Sequence, residues 1–193
     1  MSVNVVPTGL ARDLLEREQS GKPIRIGLVG SGEMGTDIVT RVKMMDGVEI
    51  AAIADIEPAR AHKAVSIAHG ATTHSADASS TNQINSVIES GRTAVTSSDI
   101  LFQSGLIDVV VDATGVPAVG AEIGLNAMEH GKHLVMMNVE ADVTIGAYLR
   151  SQADRLGVIY SLGAGDEPSA CMEIIEFVTA MGHNVVCAGK GKN

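Results

Sequence analysis

The sequence predicts an α/β fold in which helices cover both faces of a doubly wound parallel sheet. Continuous apolar runs, such as residues 24–30 and 48–55, are typical of strands that are buried on both faces. Segments with helical periodicity separate these runs, so that strand and helix alternate along the chain. Hydrophobic residues make up 45% of the 193 residues and charged residues 19%, which is the composition of a globular protein.

The predicted elements follow one another from an amphipathic helix at residues 8–20, which carries leucines on one face and charges on the other. Strands are predicted at residues 24–30, 48–55, 106–115, 132–138, 158–165 and 184–190. Further helices are predicted at residues 33–45, 58–69, 83–90, 117–129, 142–156 and 168–181. Between residues 57 and 105 the pattern predicts no strand, and the polar segment before residue 83 predicts a loop.

A glycine motif joins the first strand to the helix that follows it. The motif consists of Gly30, Ser31, Gly32, Glu33, Met34 and Gly35. In this context it is typical of a Rossmann-like dinucleotide-binding loop, where the first glycine permits a tight turn and the second lets the backbone approach the pyrophosphate. The third glycine allows close contact between helix and strand, and the N-terminus of the helix binds the diphosphate. A plain glycine-rich turn is the alternative interpretation.

Asp55 ends the second strand, 25 residues after Gly30. An acidic residue at this place accepts hydrogen bonds from the adenosine ribose, and it repels the 2′-phosphate of NADP. The sequence therefore favours NAD as the cofactor. Arg60 could reach a 2′-phosphate, so NADP stays an alternative. Asp55 could also be only an acidic residue near the N-terminus of the helix that begins at Pro58.

Polar and glycine-rich clusters follow the later strands, at the sheet edge where ligands bind in open parallel sheets. Four residues are predicted to contact the nicotinamide half of the cofactor: Ala113, Thr114, Gly115 and Asn138. Each cluster taken alone is also compatible with ordinary turn chemistry.

Five charged residues are catalytic candidates for hydride transfer, which needs a proton donor or acceptor at the substrate oxygen. Lys190 or Lys192 could supply that proton or bind a substrate carboxylate or phosphate. Asp166, Glu167 and Glu140 could orient substrate hydroxyls. The alternatives are a frayed terminus for the two lysines and capping of the helix that begins at residue 168 for Asp166 and Glu167.

Charge and hydropathy exclude several classes of protein. The net charge of −9 works against binding to nucleic acid, which requires clustered Lys and Arg. There is no signal peptide and no apolar run of about 20 residues, so we expect a cytoplasmic protein without membrane contact. Cys171 and Cys187 lie 16 residues apart and predict neither a metal site nor a disulfide.

Five runs together resemble a known family: IRIGLVGSGEMGTDIV, IDVVVDATGVPAVGAE, GKHLVMMNVEADVTIG, GVIYSLGAGDEPSACMEIIEFV and AGKGKN. They are similar to homoserine dehydrogenase-like oxidoreductases with a C-terminal SAF domain, a group that includes 1-deoxy-D-xylulose 5-phosphate reductoisomerase-like enzymes and D-apionate oxidoisomerase. The resemblance implies an NAD(P)-binding domain that acts with a small-molecule substrate, and it implies that Lys190 and Lys192 are active-site residues.

The resemblance also implies a division of the chain into an N-terminal helix at residues 1–22, a Rossmann domain at 23–188 and the start of a missing catalytic domain at 189–193. A chain that ends there is expected to bind cofactor with negligible turnover, and a homo-oligomer stays an open alternative. The reductoisomerase-like members have basic residues after the second strand. Residues 54–58 are instead Ala-Asp-Ile-Glu-Pro, which favours NAD-linked oxidation of a sugar acid or polyol over an NADPH-dependent reductoisomerase.

Overall fold

The computed structural model describes residues 7–163 and 167–189. The strands in this part of the chain are β1 (Ile24–Val29), β2 (Val48–Ala54), β3 (Ser75–Asp77), β4 (Thr93–Thr96), β5 (Val109–Asp112), β6 (His133–Met136) and β7 (Tyr160–Leu162). The helices are α1 (Leu10–Gln19), α2 (Glu33–Val42), α3 (Pro58–His69), α4 (Thr81–Glu89), α5 (Ser98–Gln103), α6 (Pro117–Glu129), α7 (Val139–Leu156) and α8 (Glu167–Ala180).

The seven strands form one parallel sheet in the order β3-β4-β2-β1-β5-β6-β7. The chain moves outward from β1 to one edge, then returns to place β5 on the other side of β1. A crevice for ligands forms where the strand order reverses in this way, outside the carboxyl ends of the strands. The sheet therefore confirms the predicted fold class and places the crevice between β1 and β5.

Two separate apolar cores lie on the two faces of the sheet. Neighbouring residues of β1 show the division, because Leu28 belongs to one core and Val29 to the other. Leu28 packs with Val39 of α2 and Val65 of α3, while the core that contains Val29 includes residues of α4, α5, α6 and α7. Helices thus cover both faces of the sheet.

Two predicted helices differ from the structure by three residues at one end. The helix predicted at 142–156 begins at Val139, because the Asn138 side chain caps it by accepting a hydrogen bond from the Ala141 N–H. The helix predicted at 33–45 ends at Val42, where the chain enters turns that lead to β2.

The region between residues 57 and 105 contains two strands and a helix that the sequence pattern did not predict. β3 and β4 are only three and four residues long. The imidazole of His62 on α3 lies 2.8 Å from Ser75 Oγ and 2.9 Å from Asp77 Oδ1, which fastens the edge strand β3 to the helix. Such short and polar strands are held by their neighbours and carry almost no periodic signal.

The strand predicted at residues 184–190 is wrong for the residues that the structure describes. Residues 183–189 form no regular element, and Val186 is 99% exposed. Two adjacent valines favour a strand locally, but a strand also needs a hydrogen-bonded neighbour and an apolar surface to cover. No helix in the described part of the chain combines the length and the apolar character needed to cross a membrane.

Candidate functional site

The glycine loop turns sharply out of the carboxyl end of β1. Gly30 has a φ of +92°, and a Cβ atom there would lie 2.8 Å from the Ala113 carbonyl oxygen, so only glycine fits. A Cβ atom at Gly35 would collide with the Gly30 carbonyl oxygen, which lets α2 lie against the loop. At Gly32 a Cβ atom would meet nothing within 4 Å. The middle glycine therefore faces open space, as expected if a ligand approaches the backbone there.

The N-terminus of α2 is left free for an anion. Gly32 is the N-cap residue and provides no side-chain cap. The first N–H groups of a helix have no partner within the helix, and together with the helix dipole they form an anion site. Ser31 is buried beneath the loop, whereas Glu33 and Met34 are exposed on the first turn.

Asp55 lies beside this loop and is bound to it. Its Oδ2 accepts hydrogen bonds from the Ser31 N–H and hydroxyl, both at 2.7 Å, and its Oδ1 accepts one from the Glu57 N–H at 2.8 Å. Burial raises the pKa of Asp55, but these hydrogen bonds and the charge of Arg60 outweigh burial and leave the pKa below its usual value. Asp55 is therefore an anion at neutral pH.

Arg60 lines the same end of the site but is paired with an acid. Its Nη2 lies 2.7 Å from Glu57 Oε1, and both side chains are about half exposed. Arg60 is the cation that the sequence analysis offered for a 2′-phosphate. Its charge is opposed by the carboxylate of Glu57.

A cleft of about 550 Å³ runs along the carboxyl ends of β1, β2, β4 and β5. Among the predicted residues, those that line it are Gly30, Gly32, Asp55, Ala113 and Thr114. The volume lies within the range of about 300–1,000 Å³ that is usual for small-molecule sites. The cleft therefore joins the phosphate loop to the predicted ribose and nicotinamide residues in one space.

Sequence reasoning missed the part of the cleft that follows β4. Ser97, Ser98 and Asp99 line it there, together with Phe102 of α5. The Ser-Ser-Asp run is a strand-end cluster like the others, but it carried no signal because β4 was not predicted. Val116, Val119, Glu122 and Asn126, at the start and along one side of α6, complete the wall.

The predicted nicotinamide residues lie at the ends of β5 and β6. Thr114 and Ala113 are half-buried and Gly115 is exposed. Asn138 is only 1% exposed, and its amide donates to the Val116 carbonyl at 2.9 Å. Asn138 therefore contacts the loop after β5 and not the open cleft.

The predicted catalytic residues are described only in part. Glu140 is exposed in the first turn of α7 and does not line the cleft. Glu167 is the first residue of α8. Asp166, Lys190 and Lys192 lie outside the described residues.

Comparisons with known proteins agree with this geometry. The family model described as "Homoserine dehydrogenase, NAD binding domain" matches residues 30–162, and the model described as "Oxidoreductase DRL, catalytic domain" matches residues 165–193. A search of curated proteins gave no significant match.

Solved structures share the fold at low sequence identity. A scyllo-inositol dehydrogenase from Lactobacillus casei, with bound NAD(H) and scyllo-inositol, is 17% identical with a TM-score of 0.58 over 83% of this chain and 42% of that one. An NAD-binding oxidoreductase from Klebsiella pneumoniae is 19% identical, with a TM-score of 0.56 over 83% and 39%. A 3-ketoreductase from Actinomadura kijaniata, in complex with TDP-benzene and NADP, is 18% identical, with a TM-score of 0.55 over 82% and 43%.

This chain spans about two fifths of the length of those structures. The family model, in contrast, covers more than two thirds of this chain and includes the glycine loop, Asp55 and the strand ends that form the cleft. A nicotinamide dinucleotide is the cofactor that this family binds. The chain belongs to the family of homoserine dehydrogenase NAD-binding domains.

Proposed function

We propose that this chain is the cofactor half of an NAD(P)-dependent oxidoreductase that transfers a hydride to or from a small polyhydroxy acid or sugar phosphate. The observation that carries the proposal is the continuous cleft, in which a free helix N-terminus lies between Asp55 at one end and Thr114 at the other. A dinucleotide needs this order of groups: an acceptor for the adenosine ribose, then N–H donors for the diphosphate, then a backbone surface for the nicotinamide ribose.

The residues present are compatible with the cofactor. Gly32 leaves open space where the diphosphate would approach, and after three hydrogen bonds from Ser31 and Glu57 the Asp55 carboxylate keeps about one lone pair, on Oδ1, for a ribose hydroxyl. The bound cofactor would supply or accept the hydride. The reacting carbon of the substrate would then have to lie about 3–3.5 Å from the nicotinamide ring. For the proton we propose Lys190 or Lys192, with Asp166, Glu167 and Glu140 orienting the substrate.

The substrate class is a proposal that the relatives support. One solved neighbour carries scyllo-inositol, a polyol, and another is a 3-ketoreductase in complex with TDP-benzene and NADP. The match of residues 165–193 to an oxidoreductase catalytic domain supports the choice of catalytic candidates in this segment of the chain. We therefore propose a homoserine dehydrogenase-like enzyme of the SAF-containing group, with or without a coupled isomerisation.

A second candidate is a reductoisomerase-like enzyme that uses NADPH. Arg60 favours it, because this guanidinium lines the cleft beside the predicted position of the ribose. A non-catalytic nucleotide-binding protein is a third candidate, and it would share the cleft but not the turnover.

The choice between NAD and NADP is tested by titrating the protein separately with NADH and NADPH and following nucleotide fluorescence. We expect NADH to bind about tenfold more tightly or better, because a 2′-phosphate would meet the Asp55 carboxylate. Asp55→Asn should reduce this preference by removing the charge. Equal affinities in the unmodified protein would contradict the role given to Asp55.

The matched control for this test is Asp46→Asn, which removes an exposed aspartate at the opposite edge of the sheet, before β2. It should leave both affinities unchanged. Saturable binding of either nucleotide supports the dinucleotide site itself, so that the cofactor preference and the site are judged separately.

A further inference from the structure

The strand-end cluster after β5 contains a buried acid that the proposed function does not use. Asp112 is the last residue of β5 and pairs with Val29 of β1 on one side and Met136 of β6 on the other. It is 0% exposed, and no ion pair within the described residues includes it. A carboxyl group without a cation is expensive to bury, so its presence at this place needs an explanation.

One carboxyl oxygen of Asp112 holds the loop that follows β5. Its Oδ1 accepts a hydrogen bond from the Thr114 N–H at 3.0 Å. The Asn138 amide, after the neighbouring strand β6, donates to the Val116 carbonyl at 2.9 Å and lies 3.4 Å from the Thr114 hydroxyl. The backbone from Thr114 to Val116 is therefore fixed at both ends by side chains buried beneath it.

The other oxygen of Asp112 has no well-aligned hydrogen-bond partner within the described part of the chain, although the Asn138 amide lies beside it. It faces the start of α6, where a Cβ atom on Gly120 would lie 2.5 Å from Asp112 Oδ2 and 2.6 Å from Asn138 Nδ2. The absence of a side chain at Gly120 lets α6 close over both groups. Burial raises the pKa of Asp112, and the neighbouring Thr114 and Asn138 groups, which lower it, do not outweigh burial.

Anchoring of the loop explains the buried Oδ1 of Asp112 but not the burial of its Oδ2. A buried polar atom without a partner costs about 1–3 kcal/mol, and an apolar residue of similar shape at the end of β5 would avoid that cost. Unsatisfied groups of this kind that persist in a fold are concentrated at functional sites. The segment that Asp112 holds also forms the wall of the cleft nearest β5, through Thr114 and Val116.

We propose that Asp112 is a positioning residue, which with Asn138 fixes the Thr114–Val116 backbone for the nicotinamide riboside half of the cofactor. This inference rests on the proposed function. Asp112 itself does not contact the cofactor in this proposal. Asn138 acts in the same way, through its hydrogen bonds to the loop. The adenosine and diphosphate half depends instead on Asp55 and the glycine loop, so that the two halves can be separated by experiment.

The experiment compares binding of NADH and of ADP, which keeps the adenosine and the diphosphate but lacks the nicotinamide riboside. Asp112→Ala removes the acceptor of the Thr114 N–H, and calorimetric titrations of this variant should show NADH affinity weakened by about tenfold and ADP affinity changed by less than about twofold. Equal weakening of both ligands would show a general structural role and overturn the inference. Unchanged NADH affinity would overturn it as well.

Two further variants keep the result interpretable. Asp108→Ala is the matched control, because Asp108 accepts a hydrogen bond from the Arg25 N–H at the opposite end of β5, and it should leave both affinities unchanged. If Asp112→Ala does not fold, Asn138→Ser provides the same test, since the serine oxygen can still cap α7 but its shorter side chain does not reach the Val116 carbonyl. Failure of the unmodified protein to bind NADH would count against the proposed function, whereas equal losses in the variants count against the positioning role.

Discussion

The Asp55 carboxylate accepts three hydrogen bonds from groups of the same chain. Ser31 donates to it twice from within the glycine loop, and Glu57 donates once from the turn before α3. These bonds fix the carboxylate against β1 and keep it ionised, so its charge is available to discriminate between ribose hydroxyls and a phosphate. Sequence spacing predicted Asp55 as the acceptor for the adenosine ribose, which stays a prediction, whereas the hydrogen bonds from Ser31 could be seen only in the structure.

Glu57 is expected to control cofactor choice through Arg60. Replacing Glu57 with glutamine removes the charge that holds Arg60 Nη2 at 2.7 Å, which leaves the guanidinium free to meet a 2′-phosphate. Exposed ion pairs contribute up to about 1 kcal/mol, so we expect Glu57→Gln to strengthen NADPH binding by up to about fivefold. NADH affinity should stay nearly constant, and fluorescence titration with each nucleotide measures both values.

An equally exposed ion pair serves as the control for Glu57→Gln. Asp154→Asn breaks the pair between Arg150 and Asp154 on α7, outside the cleft, and should alter neither affinity. If Glu57→Gln strengthened binding of both nucleotides equally, the change would reflect net charge and not release of Arg60. No change in NADPH affinity would show that Arg60 does not reach the cofactor.

At the scale of single elements, Lys132 holds the turn between α5 and β5. Lys132 is 7% exposed and precedes β6, and its Nζ donates to the carbonyl oxygens of Ser104 at 2.6 Å and Ile107 at 2.8 Å. Burial lowers the pKa of Lys132, and the charge of Asp108 acts in the opposite direction. This lysine lies at the edge of the sheet away from the cleft, so its role is structural.

Replacing Lys132 with methionine should destabilise the fold without affecting the site. Two buried carbonyl groups would lose their donor, at a cost of about 2–3 kcal/mol in the free energy of unfolding. For a chain of this size that corresponds to a melting temperature lower by about 5–10 °C. Thermal unfolding measures the loss, with Lys63→Met on the exposed face of α3 as the control that should not change it.

The NADH affinity of Lys132→Met tests whether the turn held by Lys132 also affects the cleft. It should be the same in Lys132→Met as in the unmodified protein, provided that both are measured well below their melting temperatures. A stable variant with weakened NADH binding would mean that the turn after α5 communicates with the cleft, contrary to the structural role.

The elements that sequence predicted well are those with long periodic or continuous apolar patterns. α3 and α6 have the predicted bounds, and β1, β2, β5 and β6 lie within the predicted runs. β3 and β4 were missed because a strand of three or four residues is defined by its neighbours and not by its own pattern. The strand predicted after residue 183 fails for the same physical reason, since its valines find no partner among the described residues.

At the scale of the whole molecule, the site is a consequence of strand order. The crevice exists because β2 and β5 lie on opposite sides of β1, and the glycine loop leaves β1 at that point. Alternating patterns predicted the parallel sheet, and the glycine spacing predicted where the phosphate loop lies. The buried polar contacts of Asp112 and Asn138, and the Ser97–Asp99 wall, depend on distant strands meeting at one edge, which no local pattern records.

We propose that a dinucleotide binds across the glycine loop, and the decisive variant for this binding is Gly32→Val. The Gly32 backbone has extended torsions, with a φ of −65°, and a Cβ atom there meets nothing within 4 Å, so valine should leave the fold intact. Gly35 would not serve, because its Cβ atom would collide with the loop itself. Gly105→Val, at another glycine with open space around it but outside the cleft, is the matched control.

The measurement is the dissociation constant for NADH in the unmodified protein and in both variants, together with the melting temperature without ligand. We expect saturable binding in the unmodified protein and in Gly105→Val, and a loss of at least about 100-fold in Gly32→Val, because the valine side chain occupies the approach of the diphosphate. The melting temperatures should be similar. Unchanged NADH affinity in a folded Gly32→Val protein would contradict the account and leave the loop as a turn.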